Sequence, residues 1–193
     1  MEQRIHNLLD QLPHGHKDLA YYCSHLNQDI EKERQRHHRL IAMEAANGLH
    51  ASGEVERSFN KAVNYCKNVI FETLKDAVEH IDFIEDKCFE VCENVEVQTI
   101  KKSLPLRHKD IAVLAQELIK KFAEERDQKL ISIGKLTLAS KECNVEAEKT
   151  YLEVINNMEK VIINHLRQTY EDIRNKSVPG YIKHYIDGYD KKR

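Results

Sequence analysis

Histidine and cysteine are the residue types in this chain that could do chemistry, and they are most crowded in its first forty residues. A further pair, Cys88 and Cys92, is spaced by about one helical turn. Zinc needs three or four such ligands converging tetrahedrally, usually from two close pairs. The chain has no CxxC, HExxH or repeated Glu-x-x-His motif. We therefore expect no metal site and no cofactor, and metal binding stays an alternative for His14, His16, Cys23, His25, His37 and His38.

The motifs of nucleophilic and nucleotide-dependent enzymes are also missing. The sequence holds no G-x-S-x-G turn, no P-loop and no G-x-G-x-x-G turn. Cysteine and histidine do meet at helical spacing, since His80 and Cys88 stand two turns apart, but no third residue is placed to orient the histidine. The sequence therefore predicts a protein that is not an enzyme.

The element that would position these residues is a long amphipathic stretch from Val55 to Val95. Its apolar residues recur about every 3.6 positions, the period of an α-helix, and it contains no proline or glycine. An unbroken helix here would be about 60 Å long at 1.5 Å per residue. From Ile70 onward the apolar steps alternate between four and three, which is typical of a coiled coil. We expect one long helix that packs against other long helices.

Composition extends this expectation to the whole chain. Charged residues make up 32% of its 193 residues, tryptophan is absent, and only six glycines and three prolines interrupt it. So few turn-forming residues favour a small number of long helices. The predicted fold class is all-α, an elongated antiparallel helical bundle with coiled-coil-like segments.

Prolines and glycines suggest the chain's organisation. Pro105 ends any helix before it, so we place the main chain reversal near 97–109. Residues 1–176 form a single elongated helical domain in this interpretation, followed by a tyrosine-rich tail at 177–193. Gly134 leaves open whether 110–176 is one helix or two.

Charge and cysteine usage constrain partners and compartment. Residues 1–96 carry eleven basic against eighteen acidic residues, and residues 97–193 carry nineteen against fourteen, so an acidic half could meet a basic half. The basic run from Lys32 to Arg39 has no interleaved aromatics, and we do not expect nucleic acid binding. Five cysteines form an odd set, with no signal peptide and no apolar run long enough to span a membrane. We expect an intracellular protein, cytoplasmic or nuclear, whose cysteines are buried.

The tail gathers large side chains that are suited to contact with another surface. Tyrosines supply large contact area at low entropic cost. The segment could pack back on the bundle or anchor a partner protein. The candidate interaction residues are Tyr181, Ile182, Tyr185, Ile186 and Tyr189.

Amphipathic helices without a catalytic constellation predict an interaction protein. The first hypothesis is a scaffold or adaptor that binds partner proteins and self-associates, as a homodimer or larger homo-oligomer, through its long helices. A second is a peripheral membrane module that uses the basic run around Arg36. A third is the metal-binding bundle named above.

Overall fold

The computed structural model of the protein describes residues 1–47, 53–138 and 142–175. Within these ranges it contains seven α-helices and no strand, which confirms the prediction of an all-α helical bundle. Single 3-10 turns precede the second and sixth helices. The helices are α1 (Glu2–Leu9), α2 (Lys17–Ala46), α3 (Gly53–Glu79), α4 (Ile81–Lys87), α5 (Val95–Ser103), α6 (Lys109–Leu138) and α7 (Glu142–Arg174).

The prediction of one unbroken helix from Val55 to Val95 is wrong. α3 ends at Glu79, and His80 leaves the helical conformation with φ −130° and ψ 51° before the short helix α4. The chain then stays outside α-helix until Asn94, whose side chain accepts hydrogen bonds from two backbone N–H groups in the first turn of α5. Residues 55–95 therefore form two helices and the start of a third.

A buried lysine satisfies the backbone where α4 ends. Nζ of Lys101 donates to the carbonyl oxygens of Lys87, at 2.6 Å, and of Glu90, at 2.7 Å. The side chain is buried, so its ammonium group replaces partners that the last carbonyls of a helix lack. Apolar periodicity gives no sign of this stop, because the ammonium belongs to a later helix.

The chain consists of two similar halves, which sequence reasoning missed. The segment LPHGHKD at 12–18 and the segment LPLRHKD at 104–110 share five of seven residues and stand 92 residues apart. α2 and α6 follow them at the same offset, and each is 30 residues long. α1, α2 and α3 make the first half; α5, α6 and α7 make the second; α4 belongs to the connection between them.

The buried core repeats at the same offset. Positions 92 residues apart on the long helices carry apolar side chains that are no more than 2% exposed in both halves. Because each pair buries a similar side chain, the two halves present matching faces to a common core. The pairs are Leu19 with Ile111, Leu26 with Leu118, Val63 with Ile155, Ile70 with Ile162, and Leu74 with Leu166.

The four long helices form a bundle with a pseudo-two-fold axis along its length. α3 and α7 run in the same direction, since near their starts Oγ of Ser58 donates to the carbonyl oxygen of Ala147 at 2.5 Å. α2 and α6 run the other way and finish beside those starts. We call this the far end of the bundle, and the end where α2 and α6 begin the clamp end. The contacts that place the helix ends are His38 with Asn60 at 3.3 Å and Lys129 with Glu148 at 2.9 Å.

Candidate interaction sites

Two reciprocal histidine–aspartate pairs join the halves at the clamp end. Nδ1 of His16 lies 2.9 Å from Oδ2 of Asp110, and Nδ1 of His108 lies 2.8 Å from Oδ2 of Asp18. In each repeated segment, a 3-10 turn led by proline presents the histidine and the next helix presents the aspartate. All four side chains are mostly buried, and no more than 16% of any of them is exposed. We call His16, Asp18, His108 and Asp110 the clamp. Its two contacts join the first half of the chain to the second.

The second neighbour of the His108 ring shows which ring nitrogen carries the hydrogen. Nε of Arg107 donates to Nε2 of His108 at 2.9 Å, so Nδ1 carries the hydrogen and faces Asp18. This contact is close but lies outside the angular range of a hydrogen bond. His16 differs, because its Nε2 lies 3.0 Å from Oε1 of Glu85 on α4. The connecting helix is therefore tied to one side of the clamp.

Asp110 has a strongly perturbed ionisation. Burial raises the pKa of its carboxyl group to about 6, although hydrogen bonds from His16 and from the backbone N–H of Ile111 act in the opposite direction. The two ring nitrogens of His16 face two carboxylates, and a neutral imidazole can donate from only one nitrogen. An extra proton, on the ring or on a carboxyl group, lets both contacts be hydrogen bonds.

A cleft of about 340 Å³ borders the clamp and contains a cysteine. Sγ of Cys88 donates to the carbonyl oxygen of Ile84 at 3.3 Å. Burial, and then the charge of Asp110, raise the pKa of Cys88 to about 11. Since the thiolate is the nucleophilic form, this thiol is not activated at neutral pH. The cleft lining is Gly15, His16, Glu85, Cys88, Phe89, Leu106, Arg107 and Asp110.

Three aromatic rings fill one face of the bundle between α3, α6 and α7. The ring centroid of Tyr65 lies 6.3 Å from that of Phe122 and 6.2 Å from that of Tyr151, which are distances typical of aromatic clusters. The carboxylate of Glu125 acts on both phenol groups. Burial, with this carboxylate, raises the pKa of Tyr65 to about 12 and also raises the pKa of Tyr151. We call these four residues the tyrosine site.

The pseudo-symmetric face between α2, α3 and α7 is a groove instead. At the 92-residue offset, the counterparts of the three rings are Asn157, Ile30 and Phe59, and the counterpart of Glu125 is Glu33. These side chains occupy less volume, and they line a cavity of about 200 Å³. The ring of His37 stacks on Phe59 with centroids 3.6 Å apart and forms one wall. We call this cavity the first-half groove.

Large apolar side chains are exposed at the far end of the bundle. They lie on the last turns of α2 and α6, which finish at the same end. Exposed apolar groups of this kind are typical of protein interaction surfaces. The exposed fractions are 47% for Leu40, 64% for Met43, 50% for Leu130, 61% for Ile131 and 89% for Leu138.

The basic run on α2 is partly neutralised by acids of its own helix. Three of its cations lie beside acids three residues earlier, an arrangement that helix geometry favours. The positive charge that motivated the membrane hypothesis is therefore partly balanced within α2. The pairs are Lys32 with Asp29 at 2.8 Å, Arg34 with Glu31 at 2.5 Å, and Arg36 with Glu33 at 3.6 Å.

In residues 1–47, 53–138 and 142–175, no group of three or more histidine, cysteine or acidic side chains is placed to hold a metal ion. Cys88 and Cys92 do not share a helical face, because α4 ends at Lys87. No helix in these ranges is long and apolar enough to cross a membrane. Four cysteines, Cys23, Cys66, Cys88 and Cys92, are buried free thiols, as expected.

The predicted interaction residues of the tail, Tyr181, Ile182, Tyr185, Ile186 and Tyr189, lie outside the described residues. No protein-family model, no curated protein and no solved structure matches the chain. The comparison that the molecule does offer is internal, between its two halves.

Sequence reasoning missed the clamp and the two pseudo-symmetric faces. Pro105 predicts a helix stop, and Pro13 stands at the equivalent position of the first half. Comparing the residues after each proline would have shown the repeated pattern LPxxHKD, and with it the paired helices. The partners of each histidine would still have been hidden, because each faces the aspartate of the other segment.

Proposed function

We propose that the protein is a non-enzymatic helical adaptor that binds other proteins and self-associates through the far end of its bundle. The five exposed apolar side chains on the last turns of α2 and α6 carry this proposal. Burying them against a second surface would remove apolar area from water, at about 25 cal/mol per Å². The pseudo-two-fold axis puts the two helix ends on opposite sides of that surface, so one partner can contact both.

The chemistry of the clamp supports the non-enzymatic part of the proposal. Its histidines and aspartates are engaged with each other, and its neighbouring thiol, Cys88, is held in the protonated form. A catalytic group needs a free position for substrate within hydrogen-bond reach. The clamp residues use their polar atoms to hold the halves together instead.

Light scattering coupled to gel filtration at micromolar concentration tests the self-association. We expect the wild-type chain to elute with twice its mass of 22.6 kDa or more, and the double variant Met43→Glu with Leu138→Glu to elute as a monomer. Charge at an apolar interface is costly to desolvate, which is why dissociation follows. Circular dichroism should show the same helix content in both proteins.

The matched control is Val95→Glu. Val95 is also exposed and apolar, but it lies in the first turn of α5, where an acid suits the helix dipole. This variant should keep the wild-type mass. A monomeric wild-type chain, or equal loss of mass in the control, would contradict a specific far-end interface.

A further inference from the structure

The two halves differ where one of them holds a tyrosine and the other holds a cavity. In the tyrosine site, the Tyr65 ring enters between α6 and α7 and its hydroxyl meets Glu125. In the first-half groove, Asn157 stands at the equivalent position and does not fill the space. The filled site thus serves as a template for the shape and chemistry of what the empty one accepts.

The floor of the first-half groove is apolar and preformed. Ile30, Val63 and Met158 are buried at its base, and Phe59 adds an aromatic wall. A cavity of about 200 Å³ is large enough for one aromatic ring, since an apolar cavity of roughly 150 Å³ binds benzene. Glu33 stands at the position equivalent to Glu125, whose carboxylate acts on the phenol groups of the tyrosine site. These features select an aromatic ring that carries a hydroxyl group.

The charge on the rim of the groove indicates the charge of the peptide segment that carries the aromatic ring. Asp29 and Glu153 line it, whereas lysines, Lys121 and Lys61, stand at the equivalent positions of the tyrosine site. Asp29 and Glu33 are paired with Lys32 and Arg36 on α2, so Glu153 supplies the acidic charge of the rim. Residues 176–193 carry five basic and two acidic residues together with three tyrosines. Opposite charges favour this pairing and guide its register.

We propose that the first-half groove is a docking site for the tail of this chain, residues 177–193, and that the ring of Tyr185 enters it. α7 ends at Arg174, about 26 Å along the helix from Asn157. A fully extended chain of eleven residues, from Arg174 to Tyr185, spans up to about 40 Å and can reach the groove, whereas the seven residues to Tyr181 span at most about 25 Å. This inference is independent of the far-end interface.

The absence of tryptophan from the chain allows a direct test in the full-length protein. Tyr185→Trp introduces a single indole whose emission reports burial. We expect blue-shifted emission and severalfold slower quenching by acrylamide than in the synthetic peptide 176–193 with the same substitution. Adding Asn157→Tyr, which fills the groove as Tyr65 fills its counterpart, should return both readings to those of the peptide.

A second variant distinguishes displacement of the tail from misfolding of the bundle. Glu153→Lys restores the charge found at the equivalent position of the tyrosine site, and it should weaken docking and remove its salt dependence. The control Glu171→Lys changes an exposed acid on α7 outside the groove and should leave the emission shifted.

Three results would overturn the proposal. One is an indole that matches the free peptide in the otherwise wild-type chain. Another is a shift that Asn157→Tyr and Glu153→Lys both leave in place. The third is a shift that grows with protein concentration, since the groove would then take the tail of a second copy rather than its own.

Discussion

The two halves share their core but differ in the faces that they present outside it. Equivalent core positions such as Leu74 and Leu166 are fully buried in both. In contrast, the tyrosine site is filled by its own aromatic rings, and the first-half groove is not. α4 adds a second difference, because Nε2 of His16 contacts Glu85 on α4, whereas Nε2 of His108 accepts from Arg107. The shared positions specify the fold, and the differing positions are where separate functions can reside.

The largest effects are expected in the core. They test whether equivalent core positions of the two halves contribute equally to the free energy of unfolding. Leu74→Ala and Leu166→Ala each remove a buried side chain and leave a cavity, so each should lower the free energy of unfolding by about 3 kcal/mol. Urea denaturation followed by circular dichroism measures this. Val91→Ala, at an exposed position outside the far end, should change the value by less than about 0.5 kcal/mol. A large effect in one half alone would show that the halves do not contribute equally.

The next prediction concerns the unequal sides of the clamp. Asp110 has a pKa of about 6 in the folded protein, against 3.8 as its ordinary value, so between these pH values the folded state holds a proton that the unfolded state has lost. The contribution of Asp110 to stability is therefore fully present below about pH 4 and is lost as pH rises to about 6, a change of roughly 3 kcal/mol.

Urea denaturation of wild type and Asp110→Asn across this range isolates that contribution. The stability of the wild type minus that of the variant should fall as pH rises from about 4 to about 6. Asp18→Asn, on the other side of the clamp, should keep most of this pH dependence, because burial is the main cause of the raised pKa of Asp110. A stability difference that does not vary with pH would contradict the assignment.

The smallest effect is expected from a substitution that makes the tyrosine site resemble the first-half groove. Tyr65→Asn removes a half-buried ring and its contacts with Phe122 and Tyr151, so it should lower the free energy of unfolding by about 1–2 kcal/mol. The reciprocal change Asn157→Tyr should not destabilise the protein, because the groove already has room for a ring. Thermal unfolding of both variants measures the pair. A destabilising Asn157→Tyr would show that the two faces are not interchangeable.

Much of the fold could be predicted from local pattern. The 3.6-residue period from Val55 onward correctly marks the buried face of α3, including Phe59, Cys66, Ile70 and Leu74. It fails at His80, where the apolar period continues through a break in the helix, and again where α4 ends, because that end is stabilised by a remote ammonium group, Lys101. It also left 110–176 undecided, and the structure places two helices there, α6 ending at Leu138 and α7 beginning at Glu142.

The candidate sites could be predicted only in part. Of the four clamp residues, only His16 is a candidate from the sequence, and it is one as a metal ligand, because spacing along one segment says nothing of an aspartate 94 residues away. The groove gave no local signal at all, since it exists where Asn157 is smaller than its counterpart Tyr65.

The amino-acid sequence by itself determined the helices, their buried stripes and the duplication of LPxxHKD, because these depend on backbone geometry and on neighbours within a few residues. Only the tertiary structure decided which histidine meets which aspartate, where the long helix breaks, and which of two equivalent faces stays open. Those outcomes depend on distant segments that compete for the same space and the same hydrogen bonds, so they emerge when the two halves pack together.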